Sequence, residues 1–528
     1  MISLFNKFKK QKQLILEILL LLAAYIVFIT TFTDIALGVL NSDMSSELIL
    51  SNLLNQEKGI LSTNWFYSTE LRVLNTQLVF APLFNFFESW TNVRIWGTAI
   101  LIIILLASFL YLASKLKIKH AFIFAIALLC PLSSDYFGMV LAGTYYIPHI
   151  AITFISLGLF ISIKESDLKH KLTWIKIVSL CFLALIAGLG GLRQLVILYV
   201  PMVICSTLYI ISYINKHGFT MSKNDFKDIG ISLSMLISAG FGYLINAKVL
   251  SNLIHFFSYN DVHFTGFSST SIDSIINGWM NAYGYQSSTP VFSKHLFSNI
   301  IFAGIIGLIL FSIYTVLKQK AVFNLSELYI IQFFLSAVVF ISLLYLFSDM
   351  SYEDRYLLPI SILFLPVIAI GINSIRHKIV KRILYSAIIL GVIYISTTFN
   401  LDSNEYIQYE KNNELKIITT EFVSEGYYNG YASFWDANIL TELTDGDVEV
   451  WCYSLDSNDT MNKNDFFAWL QKTSHSTTNP IGKVFVLLPK SAIEYNSQLE
   501  NCPIIYLSDQ YIAYGFDSDE ALQELLPE

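Results

Sequence analysis

The chain has 528 residues, of which 54% are hydrophobic and only 14% are charged. Because an average soluble domain has about 25% charged residues, this composition excludes an ordinary soluble protein and indicates a chain largely surrounded by lipid. The formal net charge of −7 is unevenly distributed: residues 1–399 contain 27 basic and 18 acidic residues, whereas residues 400–528 contain 6 basic and 22 acidic residues. No basic stripe lies in the acidic part, so nucleic acid is not an expected partner.

The first predicted element is an uncleaved membrane helix that begins in the cytoplasm. Four lysines within residues 7–12 precede an apolar run from Leu14 to Leu40. A secretory signal peptide would have a shorter apolar region and a cleavage site of small residues. About 20 residues are enough to cross the ~30 Å hydrocarbon core of a bilayer, so this run is long enough.

Ten further apolar segments follow, which makes eleven predicted membrane crossings. They lie near residues 95–114, 121–133, 146–163, 175–190, 195–213, 229–250, 297–317, 328–347, 357–373 and 383–399. The segment 121–133 is short for a crossing and could be half of a broken helix. About 20 basic residues fall on the N-terminal side and only about 6 in the opposite loops, which predicts a multi-pass cell-membrane protein with a cytoplasmic N-terminus and an extracytoplasmic C-terminus.

Three long segments are predicted outside the membrane, at residues 41–93, 252–296 and 400–528. In the first, Ser45–Gln56 and Leu74–Phe87 have the periodicity of helices lying along the membrane surface. The last is predicted to be a small α/β domain with strands at 448–453, 484–488, 504–507 and 511–516 and helices near 412–424, 464–471 and 518–525. The predicted domains are therefore a transmembrane domain, 1–399, which includes the first loop 41–93, and an extracytoplasmic α/β domain, 400–528. Cys452 and Cys502 in that domain either form one disulfide or stay free.

Residues 41–47 (NSDMSSE) lie directly after the first predicted span. Ser42 or Asp43 is suited to cap the following helix, and Asp43 and Glu47 would then lie one turn apart on one face. One interpretation is a capped interfacial helix. The other is a general base, because a carboxylate that is partly desolvated at the membrane surface gains the basicity needed to deprotonate an acceptor hydroxyl.

Residues 61–72 form a second polar and aromatic segment. Its candidates for binding a sugar are Trp65, Tyr67, Glu70 and Arg72. Aromatic rings offer flat faces for a sugar ring, and the polar groups offer hydrogen bonds to its hydroxyls. The alternative is an aromatic belt at the membrane interface with a Glu70–Arg72 surface ion pair.

Short polar loops on the same predicted side contain further candidates for substrate contact: Asp135, Tyr145 and His149. His149 follows a proline at a helix start, where a structural role is the alternative. Two arginines, Arg193 and Arg355, also lie in loops on this side, where positive charge is disfavoured. A guanidinium binds phosphate through two parallel hydrogen bonds, so a lipid phosphate is one candidate ligand, and neighbouring carboxylates are the other.

The sequence lacks several common nucleotide- and metal-binding motifs. It has no glycine-rich phosphate loop, no HExxH and no CxxC pair. A nucleotide-dependent or zinc-dependent mechanism on the cytoplasmic side therefore has no support. We expect no cofactor, and a metal ion remains open.

These features together resemble the GT-C superfamily of integral-membrane glycosyltransferases. Asp43 matches the carboxylate that follows the first helix in that family. Residues 355–359 (RYLLP) resemble its Arg-Tyr-x-x-Pro string, residues 191–193 (GLR) resemble a Gly-x-Arg stretch, and residues 430–435 (GYASFW) resemble a stretch of some C-terminal domains. By topology the resemblance covers nearly the whole chain. It implies a GT-C-like fold with about eleven transmembrane helices and a small C-terminal α/β domain.

The resemblance also implies a function: inverting transfer of a sugar from a polyprenyl-phosphate donor to a cell-envelope glycan or glycolipid. Asp43 would be the base, Glu47 its alternate, and Arg193 and Arg355 would bind the donor phosphate. Asp135 lacks the paired acidic motif of some relatives, and no Trp-Trp-Asp string is present, which argues against an oligosaccharyltransferase. The alternatives are an envelope lipid or polysaccharide transporter, for which broken helices and midplane charges would be expected, and a non-catalytic assembly component.

Overall fold

The computed structural model describes most of the chain, and all structural statements below concern that part. It covers residues 2–69, 71, 73–217, 226–256, 263–267, 269–287, 290–293, 295–318, 323–350, 352–399, 404–453, 461–463 and 466–527. These residues form two compact units. Unit 1 consists of Met1–Thr31, Leu101–Ala247 and Asn260–Asn404, and unit 2 consists of Phe32–Ile100, Lys248–Tyr259 and Glu405–Glu528.

Helices dominate the chain, and strands occur at Trp65–Phe66 and in the C-terminal part. The helices are α1 Ile2–Ile35, α2 Ser42–Glu57, α3 Gln77–Leu83, α4 Trp90–Lys115, α5 Ala121–Ala127, α6 Ser134–Tyr136, α7 Ile147–Lys164, α8 Lys171–Leu189, α9 Val200–His217, α10 Lys227–Lys248, α11 Ser269–Ala282, α12 His295–Lys318, α13 Leu325–Leu346, α14 Leu358–Ser361, α15 Phe364–Ser374, α16 Lys378–Thr398, α17 Tyr409–Glu425, α18 Phe434–Leu443 and α19 Asp519–Gln523. The strands are β1 Trp65–Phe66, β2 Asn429–Ser433, β3 Glu449–Tyr453, β4 Gln471–Lys472, β5 Val484–Pro489, β6 Ile504–Leu507 and β7 Tyr511–Phe516.

Ten helical segments of the described chain are long and apolar enough to cross a membrane, which confirms the polytopic α-helical class. They are Gln11–Ile35, Trp90–Lys115, Ile147–Lys164, Lys171–Leu189, Leu195–Asn215, Lys227–Asn252, Leu296–Lys318, Leu325–Leu346, Asp354–Ser374 and Lys378–Thr398. Each overlaps one of the predicted spans. The remaining predicted span, 121–133, forms only the seven-residue helix α5.

The interruption of this segment has a cause in the sequence. Pro131 disfavours helical geometry in the residue before it and has no N–H to donate. The backbone accordingly leaves the α-helix at Ala127 and continues through Cys130 in tighter turns, in which each N–H bonds to the carbonyl three residues earlier.

The broken segment nevertheless contacts α16 from its middle part to just beyond its end. At its start the ring of His120 lies 4.6 Å from that of Tyr385. Near its end the thiol of Cys130 contacts the Val392 carbonyl oxygen at 3.8 Å. Past the end of α16, Asn404 donates to the hydroxyl of Ser134 at 3.2 Å. Residues 120–134 therefore follow α16 from Tyr385 to a point past its end, as half of a broken helix followed by an irregular stretch would.

The C-terminal part of unit 2 is built on a five-stranded sheet with the order β3-β2-β5-β7-β6. Strands β3, β2 and β5 are parallel, whereas β7 and β6 are antiparallel to their neighbours. One face packs on α17 and α18 through residues such as Leu415, Phe422 and Leu440. Side chains of alternate strand positions, such as Val486 and Tyr514, form a second core on the other face.

The predicted α/β domain has the four predicted strands, but β2 and α18 were not predicted, and the helix predicted near 464–471 is absent from the described residues 466–471. Cys452 and Cys502 are both free. They belong to the cores on opposite faces of the sheet, so no disulfide joins them.

The first predicted loop contributes α2 and α3 to unit 2, where α2 packs against α3 and α18. Strand β1 pairs with β4 in antiparallel register. The predicted cap of α2 was one or two residues too late: the side chain of Asn41, not Ser42 or Asp43, accepts from the Met44 N–H at 3.0 Å. Asn41 has extended backbone geometry, as the cap of a helix requires.

Candidate functional site

The two predicted phosphate-binding arginines of unit 1 come together on one tyrosine. The Cζ atom of Arg193 lies 5.4 Å from the ring centre of Tyr356, and that of Arg355 lies 5.7 Å from it. Arg193 also lies 5.0 Å from the ring centre of Tyr146. An aromatic face attracts a guanidinium without neutralising its charge. The cluster therefore brings two guanidiniums to the same tyrosine.

Local backbone geometry brings both arginines to this place. Helix α8 ends at Leu189, and Gly191 then adopts a φ of 114°, which a residue with a side chain rarely adopts. Arg193 and Gln194 follow and lead into a π-helical turn, Leu195–Tyr199. Arg355 lies in a 3₁₀ turn, Asp354–Leu357, directly before α14. Wide π-helical turns are frequent at functional sites.

Gln194 links the arginine loop to the predicted candidate His149. Its side-chain N–H donates to the His149 carbonyl oxygen at 3.1 Å and to His149 Nδ1 at 3.2 Å. Because Nδ1 accepts here, a neutral His149 has its proton on Nε2. The Oε1 atom of Gln194 is buried and has no hydrogen-bond partner among the described residues. Such a buried acceptor costs free energy unless a water or ligand satisfies it.

Further tyrosines surround Tyr356. The ring of Tyr345 is nearly parallel to that of Tyr356, with 6.5 Å between ring centres, and stands almost perpendicular to that of Tyr352 at 5.1 Å. Burial and the nearby Asp354 carboxylate raise the pKa of Tyr352, and Asp135 contributes to the same shift. The Tyr352 phenol therefore stays protonated at neutral pH.

Two further candidates for substrate contact, Asp135 and Tyr145, precede Tyr146 in the chain. Asp135 belongs to the short helix α6, which is capped by Ser133. Tyr145 packs its ring over Gly143, where an added Cβ would meet the ring at 2.4 Å. The carboxylate of Asp354 accepts from the Asn281 side chain at 2.9 Å.

The predicted base lies in unit 2, on the first turn of α2. Asp43 is exposed in the structure, and its backbone carbonyl accepts from the Ser46 hydroxyl at 2.7 Å. Glu47, one turn later, is half-buried and accepts from the hydroxyl of the fully buried Thr76 at 2.6 Å. The two carboxylates thus have different surroundings: Glu47 bonds within the unit, whereas Asp43 is exposed, so the partial desolvation expected of Asp43 is not found within the protein itself.

A buried ion pair fixes the helix that carries Asp43. Arg94 of α4 donates to both carboxylate oxygens of Glu442 of α18, at 2.6 and 2.5 Å. A guanidinium N–H of the same arginine donates to the Met44 carbonyl oxygen at 3.0 Å. Both charged side chains are only 4% exposed. The Ser42 hydroxyl adds a bond to the Phe434 carbonyl oxygen.

A polar chain continues from Ser42 into the sheet of unit 2. Asn438 donates to the Ser42 hydroxyl at 3.2 Å, and Gln471 donates to Asn438 at 2.6 Å. His475 contacts Gln471 and Glu449, each at 2.9 Å. These bonds and the ion pair hold the first turn of α2 against α18 and the strands next to it.

Two of the four candidate sugar-binding residues in the 61–72 segment are buried. Trp65 is fully buried and lies in β1. Tyr67 is also buried and accepts the Ser62 N–H at 3.0 Å, and burial raises its pKa to about 12. Burial of both rings favours a structural role for them. Glu70 and Arg72 lie outside the described residues.

Several members of these clusters were not predictable from the sequence. Tyr356 lies inside the Arg-Tyr string, but its contact with Arg193 depends on tertiary packing. Arg94 lies near the start of an otherwise apolar helix, and a charged residue in such a helix generally pairs with another polar or charged group and has a function. Among the described residues no group of three His, Cys, Asp or Glu side chains could hold a metal ion.

No protein-family model matches this chain, and no curated protein matches it. Solved structures do resemble it. ArnT from Cupriavidus metallidurans in the apo state superposes with a TM-score of 0.59 at 8% identity, covering 98% of this chain and 100% of ArnT. ArnT from the same organism bound to undecaprenyl phosphate gives a TM-score of 0.54 at 8% identity, covering 96% of this chain and 98% of ArnT. ArnT is a GT-C glycosyltransferase. At this low identity the likeness shows the fold, and it confirms that the chain has a GT-C-like fold.

Proposed function

We propose that this protein is a membrane glycosyltransferase that transfers a sugar from a polyprenyl-phosphate donor to a cell-envelope glycan or glycolipid on the extracytoplasmic face. The observation that supports it most is the meeting of Arg193 and Arg355 on Tyr356 in a chain with the fold of ArnT. One ArnT structure contains undecaprenyl phosphate, so this fold can hold a polyprenyl phosphate.

The arginines suit the phosphate of such a donor. Two guanidiniums can bind a phosphate through charge-assisted hydrogen bonds. In the proposed reaction the pair would bind the donor phosphate and stabilise the negative charge that grows on it as the sugar leaves. The two guanidiniums would thus supply positive charge at the phosphate.

Asp43 would act as the general base in an inverting displacement. The acceptor hydroxyl oxygen forms a bond to the anomeric carbon while the bond from that carbon to the phosphate oxygen breaks. The hydroxyl proton passes to Asp43, and the electron pair of the broken bond stays on the polyprenyl phosphate. Asp43 suits this role better than Glu47 because its side chain is exposed, whereas that of Glu47 is half-buried beside Thr76.

We propose the orientation indicated by the loop charges, with the N-terminus in the cytoplasm and the C-terminus outside. The course of residues 120–134 along α16 supports an eleventh crossing, and an odd number of crossings puts the ends of the chain on opposite sides. Labelling of single cysteines introduced near each terminus with a membrane-impermeant reagent tests this. Labelling of the N-terminal position in intact cells would overturn it.

The decisive experiment compares envelope glycans from a deletion strain complemented with variants of the chain. Mass spectrometry should show one sugar mass missing from the deletion strain and restored by the wild type. Asp43→Asn should restore less than about one hundredth of it, as expected for loss of a general base, which contributes about 10²–10⁴-fold.

Glu57→Gln is the matched control, because Glu57 is a carboxylate at the far end of the same helix. It should restore the sugar fully. Full restoration by Asp43→Asn at equal protein level would refute Asp43 as the base and leave Glu47 as the next candidate. Movement of a lipid across the membrane of proteoliposomes, without formation of a glycosidic product, would instead support the transporter hypothesis.

A further inference from the structure

Unit 1 contains an apolar cavity of about 300 Å³ among α5, α12, α15 and α16. Phe124, Ile305, Leu308, Leu365, Leu384 and Ile388 are among the residues that line it. Its volume reaches the lower end of the range of about 300–1,000 Å³ that ligand sites have. All four helices belong to the same unit, and α12 and α16 are long and apolar enough to cross a membrane. The cavity therefore suits a hydrocarbon chain.

A polar pocket of about 180 Å³ continues from one end of this cavity. The two spaces share Leu132, Ile301 and Ile395 as lining residues. The polar groups of the pocket are hydroxyls and amides, which come from Ser133, Ser134, Gln286, Ser298, Thr398 and Asn404. Within the described chain, no Lys, Arg, His, Asp or Glu side chain lines either space.

The position of the pocket matches the surface end of a lipid site. Thr398 is the last residue of α16, and Asn404 lies beyond its end, whereas the apolar cavity is lined by residues 384–395 in the middle of that helix. A ligand that fills both spaces would thus have its chain beside the interior of a membrane-spanning helix and its polar head at the end of that helix.

The chemistry of the pocket selects an uncharged head. A phosphate taken out of water without a cation to pair with costs far more free energy than a neutral hydroxyl that finds hydrogen bonds. Hydroxyl and amide side chains both donate and accept, as the hydroxyls of a sugar also do. The arginines that suit a phosphate do not line this pocket. We propose that the cavity and pocket bind a neutral glycolipid, with one chain in the cavity and its sugar in the pocket.

Resting on the proposed function, this lipid is the acceptor of the transferred sugar. The donor phosphate would bind at Arg193 and Arg355, and the neutral glycolipid would bind in the separate space described above. Charge would distinguish the two lipids: guanidiniums select the phosphate, and a pocket whose described lining has no charged side chain disfavours it.

Helix α12 offers a matched pair of variants to test the cavity. Gly304 lines the cavity, and a Cβ added there meets nothing within 4 Å, so phenylalanine at this position extends into the open space. Gly307 on the same helix is equally open but does not line the cavity. Both substitutions replace glycine inside a helix, which does not weaken the helix itself. Ser298→Val tests the polar pocket without filling the cavity.

The assay is binding of three probes to the purified full chain in nanodiscs: diglucosyl diacylglycerol, phosphatidylglycerol and undecaprenyl phosphate. We expect Gly304→Phe to weaken the binding of diglucosyl diacylglycerol at least tenfold and to leave the affinity for undecaprenyl phosphate unchanged. Gly307→Phe should change neither affinity. Ser298→Val should weaken the binding of the glycolipid severalfold. Equal thermal midpoints of all variants exclude misfolding.

Three results would overturn the proposal. One is unchanged glycolipid binding in Gly304→Phe, and another is equal affinity for phosphatidylglycerol and the glycolipid in the wild type. The third is a selective loss of undecaprenyl phosphate binding in Gly304→Phe, which would make the cavity the site of the hydrocarbon chain of the donor. Failure of the proposed function would show separately, as unchanged undecaprenyl phosphate affinity after Arg193→Ala.

Discussion

Replacing Arg94 with methionine would test how strongly the helix that carries Asp43 is held in unit 2. The guanidinium makes two hydrogen bonds to Glu442 and one to the Met44 carbonyl oxygen. Both partners of the ion pair are only 4% exposed, so Arg94→Met leaves a carboxylate buried without its cation. Breaking a buried pair in this way costs about 3–5 kcal/mol.

The double variant Arg94→Met/Glu442→Met should be much less destabilised than either single variant. It removes both charges and leaves two apolar side chains of similar length, which is often neutral or stabilising. What remains is the unpaired Met44 carbonyl, at about 1–3 kcal/mol. The two substitutions are therefore strongly non-additive, as expected for groups in direct contact.

Thermal unfolding of the purified full chain, followed by intrinsic tryptophan fluorescence, measures the difference. For a unit of this size, each 1 kcal/mol shifts the midpoint by about 2–4 °C, so each single variant should lower it by about 6–20 °C. Arg382→Met, on α16 of unit 1, is the control for loss of an arginine. A shift of under 2 °C in the single variants, or additive shifts in the double variant, would refute the role assigned to this pair.

Two further predictions concern charge in each unit. The Glu449 pKa is lowered to about 2, first by the hydrogen bond from His475 and then by Lys472. Because the folded pKa is below the unfolded value, Glu449 stabilises unit 2 at pH above about 4.5 and loses this contribution as pH falls toward 2. Its side chain is about a third exposed, so screening reduces the effect to about 1–2 kcal/mol. Glu449→Gln should therefore narrow the difference in thermal midpoint between pH 7 and pH 3, and an unchanged difference would contradict this. In unit 1, Arg193→Ala should weaken undecaprenyl phosphate binding about 10- to 150-fold, since hydrogen bonds to a charged group contribute about 1.5–3 kcal/mol. Arg376→Ala should leave the affinity unchanged, and equal effects of the two variants would argue against a specific phosphate site.

The transmembrane architecture was predictable because hydrocarbon leaves a chain few options. Backbone polar groups must be satisfied within each segment, so long apolar runs become helices. The same rule explains the exception: Pro131 cannot donate a backbone hydrogen bond, and α5 ends before it. Strand β2 was missed because it begins with Asn429 and Gly430, residues that rarely favour strands. Its neighbours on both sides determine its conformation.

The candidate sites were predictable in part. Arg193 and Arg355 were marked by positive charge in loops where it is disfavoured, and Asp43 was marked by its position directly after the first span. Which partners these residues meet was not predictable, because those contacts join distant parts of the chain. Arg94 and Glu442, for example, are 348 residues apart. Sequence spacing predicts neighbours on one helix, but contacts between helices depend on packing of the whole unit.

The proposed base and the proposed phosphate-binding groups belong to different units, and each is held by interactions of its own unit. This separation predicts which step each variant affects. Arg94→Met loosens the helix of Asp43 and should lower the rate of transfer while the affinity for undecaprenyl phosphate stays the same. Arg193→Ala should lower that affinity, and transfer by Arg193→Ala should recover at high donor concentration to the extent that the arginine acts through binding alone. If Arg94→Met weakened undecaprenyl phosphate binding as strongly as Arg193→Ala does, base and phosphate site would not be independent, and the division of roles between the two units would be wrong.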